Sequence, residues 1–101
     1  MSSPVSVQLD MQAFCEETQL PVAYVIEIVE HGILEPLGRS PEAWRFGNDA
    51  AGIARRAVKL HRDLELEWEG VALALDLLEE VQILRAENQM LRQRLGRFVH
   101  E

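Results

Sequence analysis

The chain has 101 residues, 48% of them hydrophobic, and a formal net charge of −7. That length fits one domain with one modest core and leaves little room for a deep substrate pocket. The apolar fraction excludes a disordered chain, no apolar run reaches the roughly 20 residues of a membrane span, and a single cysteine, Cys15, excludes an internal disulfide.

Residues 1–9 alternate weakly through Val5, Val7 and Leu9, which predicts a short edge strand. Asp10 is a suitable N-cap for a first helix over 11–18, with Phe14 and Cys15 near its inward face. Thr18-Gln19-Leu20 reads as a tight turn. Pro21 then fits the first position of a second helix, where its missing N–H costs nothing. That helix is expected to run to His31, with Val22, Val25, Ile26 and Val29 inward and Gly32 just past its end. Two short helices joined by a tight turn form a helix-turn-helix.

Ile33-Leu34-Glu35-Pro36, a turn through Gly38 to Pro41, and Ala43-Trp44-Arg45-Phe46 read as a small β-hairpin, or wing. Asn48 is the expected cap of a third helix reaching about Leu66, with Ile53, Ala57, Leu60 and Leu64 inward. Trp68-Glu69-Gly70 interrupts the pattern, and a long fourth helix follows to about Val99. The expected class is mainly α, a winged helix-turn-helix with a long C-terminal helix. It divides into residues 1–66, which include the third helix, and residues 67–101.

The last helix carries the most specific pattern. Leu77, Val81, Leu84, Asn88, Leu91, Leu95 and Phe98 are spaced 4, 3, 4, 3, 4, 3. In heptad terms Val81, Asn88 and Leu95 fall at a, and Leu84, Leu91 and Phe98 at d. Glu80, Glu87 and Arg94 occupy g; Arg85, Arg92 and Val99 occupy e. A parallel dimer would place Glu80 against Arg85 and Glu87 against Arg92 of the other chain. A lone Asn at a specifies register in two-stranded coils. The plainer reading is one apolar stripe lying along its own domain; the heptad favours a homodimer.

Catalytic and metal-binding signatures are missing. His31, His61 and His100 are scattered, and none has a metal-ligand spacing with Cys15. Cys15 reads as a packed core thiol rather than a nucleophile. Gly32, Gly38, Gly47 and Gly52 mark turns and helix starts, not a phosphate loop. No enzyme, cofactor, metal or small-molecule substrate is expected, and the location is expected to be cytoplasmic, with no membrane partner.

Charge decides between partners. Residues 1–50 hold eight acidic and two basic side chains, a net of −6; residues 51–101 hold nine and eight, a net of −1. DNA binders need Lys and Arg where helix and wing meet phosphates. The second helix offers Ala23, Tyr24, Glu27, Glu30 and His31 outward and contains no Lys or Arg. The wing has only Arg39 and Arg45 against Glu35 and Glu42. Arg55, Arg56, Lys59 and Arg62 cluster in the third helix, but Asp63, Glu65, Glu67 and Glu69 follow, so mutual neutralisation explains them. The architecture is that of a DNA binder; the surface suits a basic protein partner. Two places join carboxylates to an aromatic ring. One is Tyr24, Glu27 and Glu30, with Glu16 and Glu17 near; the other is Asp63, Glu65, Glu67 and Glu69 around Trp68. Ordinary solvated charge is the competing explanation for each residue.

A family resemblance runs from about Val5 to Val99. It rests on Phe14-Cys15 with Thr18, Glu27-Ile28-Val29 with Gly32, Glu35-Pro36, then Trp44 and Phe46. Arg56-Ala57-Val58 with Leu60, then Leu64, Leu66, Trp68 and Gly70 continue it. Glu87-Asn88, Leu91-Arg92-Gln93-Arg94-Leu95 and Arg97-Phe98-Val99 complete it. Together these resemble the CbpM family of chaperone modulatory proteins, among the MerR-like folds. The resemblance implies binding to the J-domain of a CbpA-like (DnaJ-like) co-chaperone and inhibition of its co-chaperone and DNA-binding activities. It also implies association with the nucleoid through that partner. The alternatives from the residues are a MerR-like DNA-binding regulator and a purely structural coiled-coil adaptor.

Overall fold

The computed structural model describes residues 8–98, which form four helices and one 3-10 turn: α1 (Met11–Thr18), α2 (Val22–Glu30), the turn Pro41–Ala43, α3 (Ala50–Asp63) and α4 (Trp68–Phe98). Val5, Val7, Val99 and the side chain of Phe98 lie outside the described residues.

Local signals fix the first two helices. The Asp10 carboxylate accepts from the Ala13 N–H at 2.9 Å and caps α1. Gln19, in the left-handed region at φ 60°, ends that helix and starts the tight turn. Pro21 is the N-cap of α2 rather than its first helical residue: its φ/ψ of −65°/147° is extended, and its carbonyl accepts from Tyr24 and Val25. At the other end Gly32 (φ 74°) donates to Val29 O and Ile33 donates to Ile28 O, both at 3.0 Å, a Schellman stop that satisfies two orphan carbonyls.

The inward face of α2 differs from the expected one. Val25 and Ile28 are fully buried, Ile26 and Val29 are half-buried, and Val22 is 48% exposed. Five of its nine residues are Val or Ile, so hydrophobicity alone does not single out one stripe. The core joins Val25 and Ile28 to Phe14 of α1, Leu34, Trp44, Phe46 and the alanine-rich face of α3. Phe14 stacks on Phe46 at 4.2 Å between centroids, and Trp44 meets Phe46 edge-on at 6.3 Å.

The expected wing hairpin reduces to single bridges. Leu37 and Arg45 exchange two backbone hydrogen bonds (3.1 and 2.9 Å), and Leu9 pairs with Phe46 in the same way (2.9 and 2.8 Å). The edge strand expected over 1–9 is therefore, among the described residues, one bridge at Leu9. Pro41 starts a 3-10 turn inside the loop, which shortens any ladder. Gly38 is required there: at φ 104° a Cβ would fall on the Ala43 carbonyl.

α3 begins after Asp49, not Asn48, because residues 47–50 first make a turn in which Ala50 donates to Gly47 O. It ends at Asp63, short of Leu66. Glu65 adopts φ 53°, which breaks the helix, and Leu64 points outward at 60% exposure instead of joining the stripe. The buried face is Ala50, Ala54, Ala57 and Val58, small residues that let neighbouring helices approach closely. Ile53 and Leu60 border it. The interruption before the last helix lies at 64–67; Trp68 opens α4.

Only the start of α4 packs on the body, with Val71 fully buried. At 1.5 Å per residue its 31 residues span about 46 Å. The radius of gyration is 18.2 Å, against about 13 Å for a compact chain of this size. Most of α4 therefore projects from the body.

Candidate functional site: an acidic aromatic face

The two acidic places expected from the sequence are one surface. Tyr24 of α2 meets Trp68 of α4 edge-on at 5.5 Å, and His61 of α3 stacks on Trp68 at 4.1 Å and 12°. Tyr24 also meets His61 at 5.5 Å. Three helices thus converge on one aromatic cluster. Its geometry is set by the short connection 64–67: the His61 ring nitrogen Nδ1 lies 2.7 Å from Leu66 O, holding the chain as it turns into α4.

Carboxylates rim the cluster. Glu27 is half-buried and Glu30 exposed on α2; Glu65, Glu67 and Glu69 are exposed around the α3–α4 turn. His31 ties the two sides together. Its Nδ1 lies 3.5 Å from Glu27 Oε1 and 2.8 Å from Glu27 O, and its Nε2 lies 3.8 Å from Glu69 Oε2. The Glu27 carbonyl, followed by the carboxylates of Glu69, Glu27 and Glu30, raises the imidazole above its ordinary pKa, and burial opposes them. Its place at the C-terminus of α2 also favours the cation.

Other expected site residues stand apart. Glu16 and Glu17 are exposed on α1, and Arg55 of α3 donates to the Glu17 carbonyl at 3.0 Å. Among the described residues no hydrogen bond or ion pair joins either of them to α2. Asp63 pairs with Lys59 at 3.2 Å, so part of its charge is neutralised within α3. Three of the four cations of α3 are engaged in this way, Arg55 on α1, Lys59 on Asp63, and Arg62 with its guanidinium 5.7 Å from the Tyr24 ring centroid, while Arg56 is exposed. A free basic stripe for phosphates does not result. His31 and His61 belong to the face although sequence reasoning had given them no role in it. The available signals were the Glu27–His31 spacing of four and the position of His61 one helical turn before the junction.

The expected dimerisation residues all lie on the projecting part of α4. Leu77, Val81, Leu84, Leu91 and Leu95 are 39–60% exposed, and Asn88 is exposed among them. Cys15 is half-buried with Sγ 3.8 Å from Met11 Sδ, and burial pushes its thiol pKa up, as a packed thiol requires. Among the described residues no three His, Cys, Asp or Glu side chains are grouped to hold a metal. No helix there is long and apolar enough to cross a membrane.

Comparison with known proteins extends over nearly all of this chain. Residues 9–93 match the model of the MerR HTH family regulatory proteins. Chaperone modulatory protein CbpM of Pseudomonas putida strain W619 is 65% identical over 98 residues, 97% of each chain. CbpM of Pseudomonas entomophila strain L48 is also 65% identical over 98 residues, again 97% of each chain. CbpM of Escherichia coli O1:K1 is 40% identical over 95 residues, 94% of each chain.

Proposed function

The chain belongs to the CbpM family of chaperone modulatory proteins, on a MerR-type helix-turn-helix domain, and from that membership we propose that it is a noncatalytic modulator of a CbpA-like co-chaperone. It binds the J-domain and inhibits both co-chaperone activity and DNA binding by the co-chaperone. It acts in the cytoplasm, as a homodimer joined through α4.

The observation that carries this reading is the face shared by α2 and α4. A contact with a basic helix needs carboxylates on a firm scaffold beside apolar area that supplies affinity. Tyr24 and Trp68 supply the second, and Glu27, Glu30, Glu67 and Glu69 supply the first. Occupying the basic helix of a J-domain excludes whatever else that helix serves. The second reading, a DNA-binding regulator, is favoured by the MerR family match. Against it stand an α2 without Lys or Arg and an α3 in which three of four cations are engaged within the chain.

Charge reversal of Glu27 and Glu30 together (E27K/E30K) should slow association with a CbpA-type J-domain about tenfold, since interfacial charge acts mainly on encounter. Glu30 is exposed, where substitutions usually change stability by only about 0.5 kcal/mol, and half-buried Glu27 adds the loss of its contact with His31; the fold should persist. Stopped-flow association rates check the first expectation and urea unfolding of the free variant checks the second. Unchanged binding there, beside weakened binding of E65K/E67K, would move the contact to the α3–α4 turn.

A further inference from the structure

We propose that His31 is a proton-operated latch that sets how much negative charge the α2–α4 face presents; the inference rests on that face being the partner surface. Among the described residues, His31–Glu69 is the one ion pair that joins two helices. It runs between the C-cap of α2 and the first turn of α4, where Glu69 follows Trp68 of the aromatic cluster. Protonated, His31 places a cation between Glu27 and Glu69 and occupies both carboxylates. Deprotonated, it frees them for a basic partner.

Charged groups of three helices stand around His31. On α2, Glu27 and Glu30 favour the cation. On α4, Glu69 does the same, and Asp76 and Glu79 line the adjoining cleft. Arg56 of α3 lines that cleft too. The ring is 25% exposed at its side chain, so protons reach it without unfolding. Because the folded pKa is raised, the stability contributed by the latch is fully present below the ordinary imidazole value of about 6.5 and is lost as pH rises through the folded pKa. Latching therefore belongs to the acid side and partner binding to the alkaline side.

The test compares the full-length chain with His31→Gln in association with a purified J-domain at pH 6 and pH 8, with an NMR titration of the His31 ring in the free protein. The unmodified chain should bind about threefold more weakly at pH 6 than at pH 8, relative to His31→Gln at the same pH, as expected for a modest change in interfacial charge. Titration of the J-domain itself is common to both and cancels in that ratio. The His31 titration should lie above the ordinary value and fall in Glu69→Gln. A ratio that is constant across pH, or a ring whose titration ignores Glu69→Gln, overturns the latch. Absence of J-domain association at either pH removes the partner reading instead, and the latch is then decided by the NMR shift alone.

Discussion

Replacing Trp68 by alanine should lower the unfolding free energy by about 3 kcal/mol. The indole stacks on His61, meets Tyr24 edge-on and forms the first residue of α4, so its loss removes two aromatic contacts and part of the apolar burial that seats the long helix. Aromatic pairs contribute about 0.5–1.5 kcal/mol each beyond area, and burial of half an indole adds on the order of 1–2 kcal/mol. Urea unfolding measures the loss. Trp68→Phe keeps a ring against His61 and should recover more than half of it. The same alanine variant should weaken J-domain binding at least tenfold, because a central aromatic residue flanked by charge is the usual anchor of such contacts. Stability within about 0.5 kcal/mol of the parent would show that the cluster does not seat α4.

Leu84→Asp combined with Leu91→Asp should convert a dimer to a monomer. Both side chains are more than half exposed on the projecting helix, at d positions of the heptad around Asn88. Burying each in a seam is worth about 2 kcal/mol, so the pair should shift the dimer dissociation constant by at least about a hundredfold. The body makes few demands on these positions, and the monomer should keep its helical spectrum. Sedimentation at roughly tens of micromolar, where a short seam should pair, gives the answer. A parent that sediments as a monomer, or a variant that remains dimeric, contradicts dimerisation through α4.

The parts of this fold legible in the sequence were those governed by neighbours along the chain. Asp10 caps α1 through a contact three residues away, and Gly32 stops α2 with hydrogen bonds spanning a single turn. The apolar spacing of α4 was read from the sequence alone, and among the described residues that stripe is left exposed. The wing was not, because its bridges join Leu9 to Phe46 and Leu37 to Arg45, pairings set by tertiary packing on Phe14. In α3 the expected Ala57, Ile53 and Leu60 do pack inward, but Leu64 does not, and Ala50, Ala54 and Val58 went unseen because alanines give little hydrophobic signal. In α2 the expected Val25, Ile26 and Val29 pack inward, but Val22 is exposed and Ile28 was missed, because seven of its nine residues are apolar or aromatic. The chemistry of the site, carboxylates with Tyr24 and Trp68, could be read residue by residue. That the two groups form one surface could not, since the chain turn at Glu65 and the His61–Trp68 stack bring them together.

The most direct measurement is a titration of the purified full-length chain with an isolated CbpA-type J-domain and, separately, with duplex DNA, at two salt concentrations. The account predicts saturable J-domain binding at one site per protomer that weakens as salt rises, and no sequence-selective duplex binding. Tight, sequence-selective DNA binding without J-domain binding would contradict it.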